Sequence, residues 1–121
     1  MIRKTLAAAT LLCGLFSAGT TWAHAHLVKA DPAVGSTVAA TDTLRLTFSE
    51  GIEIKFSKVE VMDAKAQPIQ LGAVALDPND DKVMVLSLPG RLRAGTYTVH
   101  WHVVSVDTHR TEGTYDFTVS P

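Results

Sequence analysis

Hydrophobic side chains recur at every second position in several parts of the chain, and this alternation constrains the fold more than any other feature. Between residues 96 and 104, large apolar side chains alternate with threonine and histidine, and the same pattern occurs at 43–48, 58–61 and 115–119. Successive side chains of a β-strand point to opposite faces, so a half-buried strand has a hydrophobic period of two residues. An amphipathic helix needs a period of about 3.6. The pattern therefore predicts an all-β protein.

Turn-forming residues separate these alternating segments at short intervals. Proline, glycine and aspartate mark the turns, as in Asp31-Pro32, Pro89-Gly90 and residues 77–80. We predict about seven strands between the turns, at 26–30, 43–50, 57–63, 69–76, 82–88, 96–105 and 114–120. This spacing is typical of an antiparallel β-sandwich or a small Greek-key barrel. Residues 51–57 alternate least and are predicted to form a connection.

The N-terminal 23 residues have the pattern of a secretory signal peptide. Two basic residues precede an apolar run at 5–17 that is too short to span a bilayer, and Thr21 and Ala23 are small residues at the two recognition positions of a cleavage site. Residues 1–23 are therefore predicted to be removed, leaving an exported domain at 24–121 without stable membrane insertion. Cleavage after Ala25 satisfies the same rule and is the alternative.

Cleavage after Ala23 changes the length, charge and cysteine content of the chain. Of 121 residues 98 remain, and loss of Arg3 and Lys4 leaves nine basic and twelve acidic side chains, a net charge of −3. Cys13 is also lost, which excludes thiol catalysis and thiolate metal sites. Lysine and arginine are not clustered, so the domain is not predicted to bind nucleic acid. Phosphate-loop, nucleophile-elbow and zinc-protease motifs are absent from the sequence.

His24 becomes the first residue of the exported chain if cleavage follows Ala23. An N-terminal histidine offers its α-amine and its ring Nδ1 as two donors that close a chelate ring on a metal. The amine of a model peptide has a pKa of about 7.7–8.0, so metal binding displaces a proton and weakens as the pH falls. The alternative interpretation is a frayed terminus with an incidental histidine.

A second group of candidate ligands lies between the last two predicted strands. If the backbone there is extended, Asp107 and His109 point to one side and can bind one ion, although aspartate in a loop is more often a turn former. Glu50 ends another strand, where a simple exposed carboxylate is the alternative. His100 and His102 share the outward face of a strand; side chains at this spacing can chelate a surface ion, but the favoured interpretation is a polar, solvated surface.

His26 is a further candidate whose role depends on the terminus. With a free amine at His24 it forms a terminus able to wrap Cu(II) in a square-planar set of deprotonated backbone amides. That set would compete with strand pairing by the same amides.

In the identity and order of these motifs, the chain resembles the CopC-type periplasmic copper-binding proteins. The segments that carry the resemblance are residues 24–28, 31–36, 44–50, 94–97 and 101–109, together with Gly113. The resemblance implies an immunoglobulin-like β-sandwich of Greek-key topology, located in the periplasm, that binds Cu(II) through an N-terminal histidine brace.

Carried over to this chain, the resemblance implies that His24 supplies its amine and Nδ1, His109 a second imidazole and Asp107 a carboxylate. Glu50 matches an acidic position that approaches the copper from farther away in some members. Some family members carry a second, Cu(I) site in a loop rich in methionine and histidine, but the segment between Met62 and Met84 contains neither residue type. Because Cu(I) prefers several thioether donors, we predict one ion only, Cu(II), with Zn(II) and Ni(II) as weaker competitors.

We therefore predict a non-catalytic copper carrier or buffer of copper homeostasis or resistance, which sequesters Cu(II) or passes it to an inner-membrane copper-import protein. The first alternative is a copper mono-oxygenase of the polysaccharide-oxidising type, which also uses a histidine brace. Such an enzyme needs a broad face of exposed aromatic side chains. The second alternative is an adhesion-like sandwich without a metal.

Overall fold

The computed structural model describes residues 24–121, which contain eight β-strands and one turn of 3₁₀ helix. The strands are β1 (Leu27–Asp31), β2 (Thr37–Val38), β3 (Thr43–Phe48), β4 (Lys58–Met62), β5 (Val74–Asp77), β6 (Asp80–Ser87), β7 (Gly95–Val104) and β8 (Arg110–Val119). The 3₁₀ turn, Ile54–Phe56, lies in the segment predicted to be a connection. The signal peptide predicted for residues 1–23 lies outside the described residues.

The strands form two four-stranded sheets, ordered β1-β3-β6-β5 and β2-β8-β7-β4. All pairs are antiparallel except β2 with β8. The predicted β-sandwich is therefore confirmed. Only β2 has no counterpart among the predicted strands, because its two residues are too short to show an alternation and it pairs with the distant β8.

The strand predicted at 69–76 is only partly formed, since β5 begins at Val74. The backbone amide of Ile69 donates to the carbonyl of Val61 in β4, whereas the amide of Gly72 donates to the carbonyl of Ser87 in β6. These partners belong to different sheets. The segment thus crosses from one sheet to the other and cannot continue in a single ladder.

The inward-facing side chains of both sheets meet in one core. The fully buried members include Leu44, Leu46, Phe48, Val61, Val99 and Phe117. The Trp101 ring contacts the Phe48 ring edge to face, with centroids 5.2 Å apart, and so joins β7 of one sheet to β3 of the other. Gly113 pairs with Trp101 in the register of β7 and β8, and a Cβ there would lie 2.8 Å from Cε2 of the indole. The absence of a side chain at Gly113 makes room for the tryptophan.

Tyr115 carries a buried hydroxyl that has no hydrogen-bond partner among residues 24–121. Burial, with a smaller effect of the Asp31 charge, raises the pKa of Tyr115. We expect Tyr115→Phe to increase the free energy of unfolding by about 1 kcal/mol at pH 7, because an unpaired buried polar group is costly. Above pH ~10, tyrosine ionises in the unfolded chain but stays protonated in the fold, so wild-type stability falls as the pH rises. Tyr115→Phe should reduce that loss.

Urea unfolding at pH 7 and at alkaline pH measures both effects. Tyr97→Phe is the matched control, since the Tyr97 hydroxyl donates a 2.7 Å hydrogen bond to the carbonyl of Arg93. Its removal should lower stability by about 1 kcal/mol. Equal destabilisation by the two substitutions would contradict the assignment of an unpaired hydroxyl to Tyr115.

Candidate metal centre

The segment that carries His24 is bound to both sheets. Ala25 is 1% exposed, and its carbonyl accepts a 2.7 Å hydrogen bond from the hydroxyl of Thr111 in β8. The carbonyl of His26 accepts a 2.9 Å hydrogen bond from the amide of Ser49, which directly follows β3. These contacts hold His24 at one end of the sandwich, beside the connection between β7 and β8.

That connection is a tight turn. The amide of Thr108 donates to the carbonyl of Ser105 at 2.8 Å, and the amide of Ser105 donates to the carbonyl of His109 at 3.0 Å. Thr108 has φ of +71°, a left-handed conformation that is uncommon for a non-glycine residue. The extended backbone considered for Asp107 and His109 is therefore wrong. The turn nevertheless brings their side chains together, with Oδ1 of Asp107 3.2 Å from Nδ1 of His109.

The Asp107 carboxylate is fixed by its neighbours. The hydroxyl of Ser105, a fully buried residue, donates to Oδ1, and the amide of His109 lies 3.4 Å from the same oxygen. The hydrogen bond from Ser105 lowers the pKa of Asp107 most, and those from His109 lower it further, against a partial desolvation that raises it. The group is therefore an ionised, oriented acceptor at neutral pH, as a metal ligand must be.

His24 and His109 are in direct contact. Their ring centroids lie 4.3 Å apart with the planes at 63°. Nδ1 of His24 is buried without a hydrogen-bond partner among residues 24–121, whereas half of the His109 side chain is exposed. Buried polar atoms normally have a partner, so an unpaired imidazole nitrogen here suits a bound cation. Two imidazoles and an ionised carboxylate form a nitrogen–oxygen donor set that fits Cu(II).

The three side chains share one neighbourhood but do not form a closed coordination set. Within the described residues, the donor atoms of His24, Asp107 and His109 do not all lie within 4.8 Å of one another. In the 121-residue chain the backbone nitrogen of His24 is an amide bonded to Ala23, whereas a brace needs a free amine. The predicted set of copper ligands can therefore be complete only after cleavage of the bond between Ala23 and His24.

Glu50 and His26 lie outside this group. Glu50 is half-buried after β3, and the next residue, Gly51, accepts a hydrogen bond from the amide of Val106 beside the turn. In the part of the chain that the structure describes, its carboxylate has no hydrogen bond or ion pair with the candidate ligands. The His26 amide donates to the Ser49 hydroxyl at 3.0 Å, which opposes its use in a square-planar copper set.

Two hydroxyl groups that position this site were missed from the sequence, those of Ser105 and Thr111. A signal for Ser105 was present, since it continues the odd-numbered, inward-facing series of β7. A polar side chain in a buried position needs a partner, and the nearest candidates are in the turn that follows. The partner of Thr111 is 86 residues away in sequence, and no local pattern indicates it.

Comparison with known proteins places this chain in a family. A family model described as the CopC domain matches residues 27–120. The chain belongs to the CopC family. This confirms the resemblance drawn from the motifs, and it supports a copper-binding protein of copper resistance.

Several similar proteins match along most of their length. The copper resistance protein C of Escherichia coli is 36% identical over 126 residues, covering 98% of each chain. Protein YobA of E. coli strain K12 is 43% identical over 99 residues, covering 81% of this chain and 80% of that protein. The crystal structure of PcoC, a methionine-rich copper resistance protein from E. coli, superimposes with a TM-score of 0.73 at 39% identity, covering 81% of this chain and 100% of that one.

This CopC chain differs from that methionine-rich relative in its sulfur donors. Residues 24–121 contain two methionines, and Met84 is fully buried in the core, so its thioether is not accessible to an ion. Met62 remains as a single soft donor. The described residues of this CopC chain also include no helix that is long and apolar enough to cross a membrane.

Proposed function

We propose that the protein is a periplasmic carrier or buffer that binds one Cu(II) ion through an N-terminal histidine brace. Its membership of the CopC family supports copper binding. The observation that carries the brace is the buried, unpaired Nδ1 of His24 in contact with the ring of His109. Removal of residues 1–23 supplies the remaining donor, the amine of His24.

Each residue has a distinct role in this proposal. His24 binds the ion through its amine and Nδ1, and His109 and Asp107 complete the set. In this proposal Glu50 contributes charge from farther away rather than a direct bond to the ion. Nitrogen and carboxylate donors favour Cu(II) over Zn(II) and Ni(II), and a single accessible thioether is insufficient for a separate Cu(I) site.

The distribution of aromatic side chains favours a carrier over a mono-oxygenase. Residues 24–121 contain six phenylalanine, tyrosine and tryptophan side chains, and five of them are buried. Phe56 alone is strongly exposed. One exposed ring does not make the broad stacking face that an enzyme acting on a polysaccharide needs.

The proposal is tested with protein exported from the full-length gene, its N-terminus established by intact mass. We expect one equivalent of Cu(II) to produce a d–d band and an EPR signal. Because His109 is a direct ligand, His109→Ala should weaken binding by about 100-fold or more, beyond the 10–100-fold typical of residues that only orient a ligand. Chelator competition measures the affinity.

His26→Ala is the matched control, since it removes an exposed histidine from the same end of the chain and should leave the affinity unchanged. Asp107→Asn keeps the size of the side chain and removes its charge, so it should weaken binding less than His109→Ala. Equal Cu(II) affinity in wild type and His109→Ala would overturn the brace.

The location of the site suits transfer to another protein. Half of the His109 side chain is exposed at the end of the sandwich, where an incoming ligand can replace it. We propose an inner-membrane copper-import protein as the recipient. Expression of wild type with such a transporter should raise cellular copper, measured by mass spectrometry, and His109→Ala should not. Equal copper with both would contradict the transfer.

A further inference from the structure

A second cluster of metal-ligating side chains lies on the outward face of the sheet β2-β8-β7-β4, away from the turn. His100 and His102 extend from β7, between Glu60 of β4 and Glu112 of β8. The register pairs Glu60 with His100 and Glu112 with His102. Three adjacent strands thus contribute four donors to one patch of surface.

The separations within the cluster are those of potential ligands of one ion. Of the residues that the structure describes, Glu60, His100 and His102 form the one group of three in which a donor atom from each lies within 4.8 Å of the others. Oε1 of Glu60 lies 3.7 Å from Nε2 of His102. Oε1 of Glu112 lies 2.9 Å from Nε2 of His100 and 3.4 Å from Nδ1 of His102, so the two carboxylates approach opposite nitrogens of the His102 ring. Bonds of about 2.0–2.1 Å in a tetrahedral zinc site separate neighbouring donors by roughly 3.4 Å.

The strands beneath the cluster hold these side chains in place. Val59, Val61, Val99 and Trp101 alternate with the ligating positions of β4 and β7 and are buried in the core. A site on strands anchored in this way is positioned more accurately than one on a loop. Beside it, a groove of about 470 Å³ lined by His102 and Glu112, with Phe56 and Arg110, gives access to the cluster.

Ion pairing between histidine and glutamate contributes too little stability to explain this cluster. The side chains are 31–63% exposed, and exposed ion pairs contribute little to stability. The two imidazole centroids are only 4.1 Å apart, so protonating both rings would place like charges together. A divalent cation instead binds two neutral imidazoles, and the adjacent carboxylates balance its charge.

We infer that Glu60, His100 and His102 bind a second divalent cation of the Zn(II) class, with Glu112 as an adjacent negative charge and with Cu(II) and Ni(II) as competitors. Imidazole and carboxylate donors without sulfur suit these metals. The site is separate from the proposed brace, because His102 lies three residues, or about 10 Å along the chain, before Ser105, where the turn that carries Asp107 and His109 begins. It requires neither the amine of His24 nor cleavage of the leader.

The experiment removes the first site before it measures the second. His109→Ala protein, exported from the full-length gene, is titrated with Zn(II) against a chromophoric chelator. We expect one equivalent to bind, and we expect His100→Gln/His102→Gln in this background to weaken binding at least about tenfold. Thr98→Ala is the matched control, since Thr98 lies on the same face of β7 and is not in the cluster. It should bind as the background does.

A second measurement needs no substitution. Substoichiometric Zn(II) should shift the ring proton resonances of His100 and His102 in wild type. Absence of those shifts, or equal Zn(II) affinity with and without the two histidines, would overturn the second site. His100→Gln/His102→Gln with His109 intact should keep wild-type Cu(II) affinity at the brace, so failure of one site is distinguishable from failure of the other.

Discussion

Adding one residue in front of His24 is expected to weaken Cu(II) binding by about 100-fold or more, although no side chain of the site is changed. The extension converts the α-amine of His24 into an amide, which must lose a proton with a far higher pKa before it can bind a metal. It therefore prevents the six-membered chelate ring through the α-amine and Nδ1 that a brace needs. Loss of a direct ligand should exceed the 10–100-fold effect of a residue that only orients one.

The comparison is between two exported proteins whose N-termini are established by intact mass, one beginning at His24 and one carrying an extra alanine. Cu(II) affinity is measured by chelator competition and the ligand set by EPR. The control carries the alanine after Pro121 instead. An extended protein with the affinity of wild type would show that the amine is not a ligand, and cleavage after Ala25 would remove the brace altogether.

Replacement of Trp101 by alanine is expected to lower the free energy of unfolding by about 3–5 kcal/mol. The indole is 7% exposed, contacts Phe48 across the two sheets and fills the space over Gly113. Its removal leaves a cavity that neighbours on two rigid strands cannot close. Since small domains have a total stability of about 5–15 kcal/mol, the variant should be close to unfolding at room temperature.

Urea unfolding followed by circular dichroism measures this loss. Phe56→Ala is the matched control, because Phe56 is aromatic but 70% exposed, and it should change stability by no more than about 0.5 kcal/mol. Similar losses from both substitutions would contradict a dominant role for Trp101 in joining the sheets. Cu(II) should raise the melting temperature of Trp101→Ala, since only the folded chain assembles the site.

Strands in which apolar side chains occupy every second position could be predicted from the sequence. In β7, residues 97, 99, 101 and 103 are buried and their even-numbered neighbours are not, as the alternation indicates. Strand β2 and the crossing segment at 69–73 could not be predicted, because their partners are distant in sequence. Their position depends on assembly of the whole sandwich rather than on any pattern of their own.

The candidate site shows the same division between local and long-range information. The nature of the ligands could be predicted from residue types and motif order, and the structure brings His24, Asp107 and His109 into one neighbourhood. The left-handed conformation of Thr108, which turns Asp107 towards His109, has no sequence signal of the glycine or asparagine kind. The surface cluster around His100 and His102 could not be assembled from the sequence, because its carboxylates belong to other strands.

The contacts of Ala25 also determine how long an exported copy keeps its first ligand. An aminopeptidase must draw the first residues of a chain into its own cleft in an extended form. Here the methyl group of Ala25 is buried and its carbonyl is bonded to Thr111, while His26 pairs with Ser49. Exposing the bond after His24 therefore requires local unfolding of this segment, which slows proteolysis. Resistance to trimming follows from the same packing that places the imidazole beside His109.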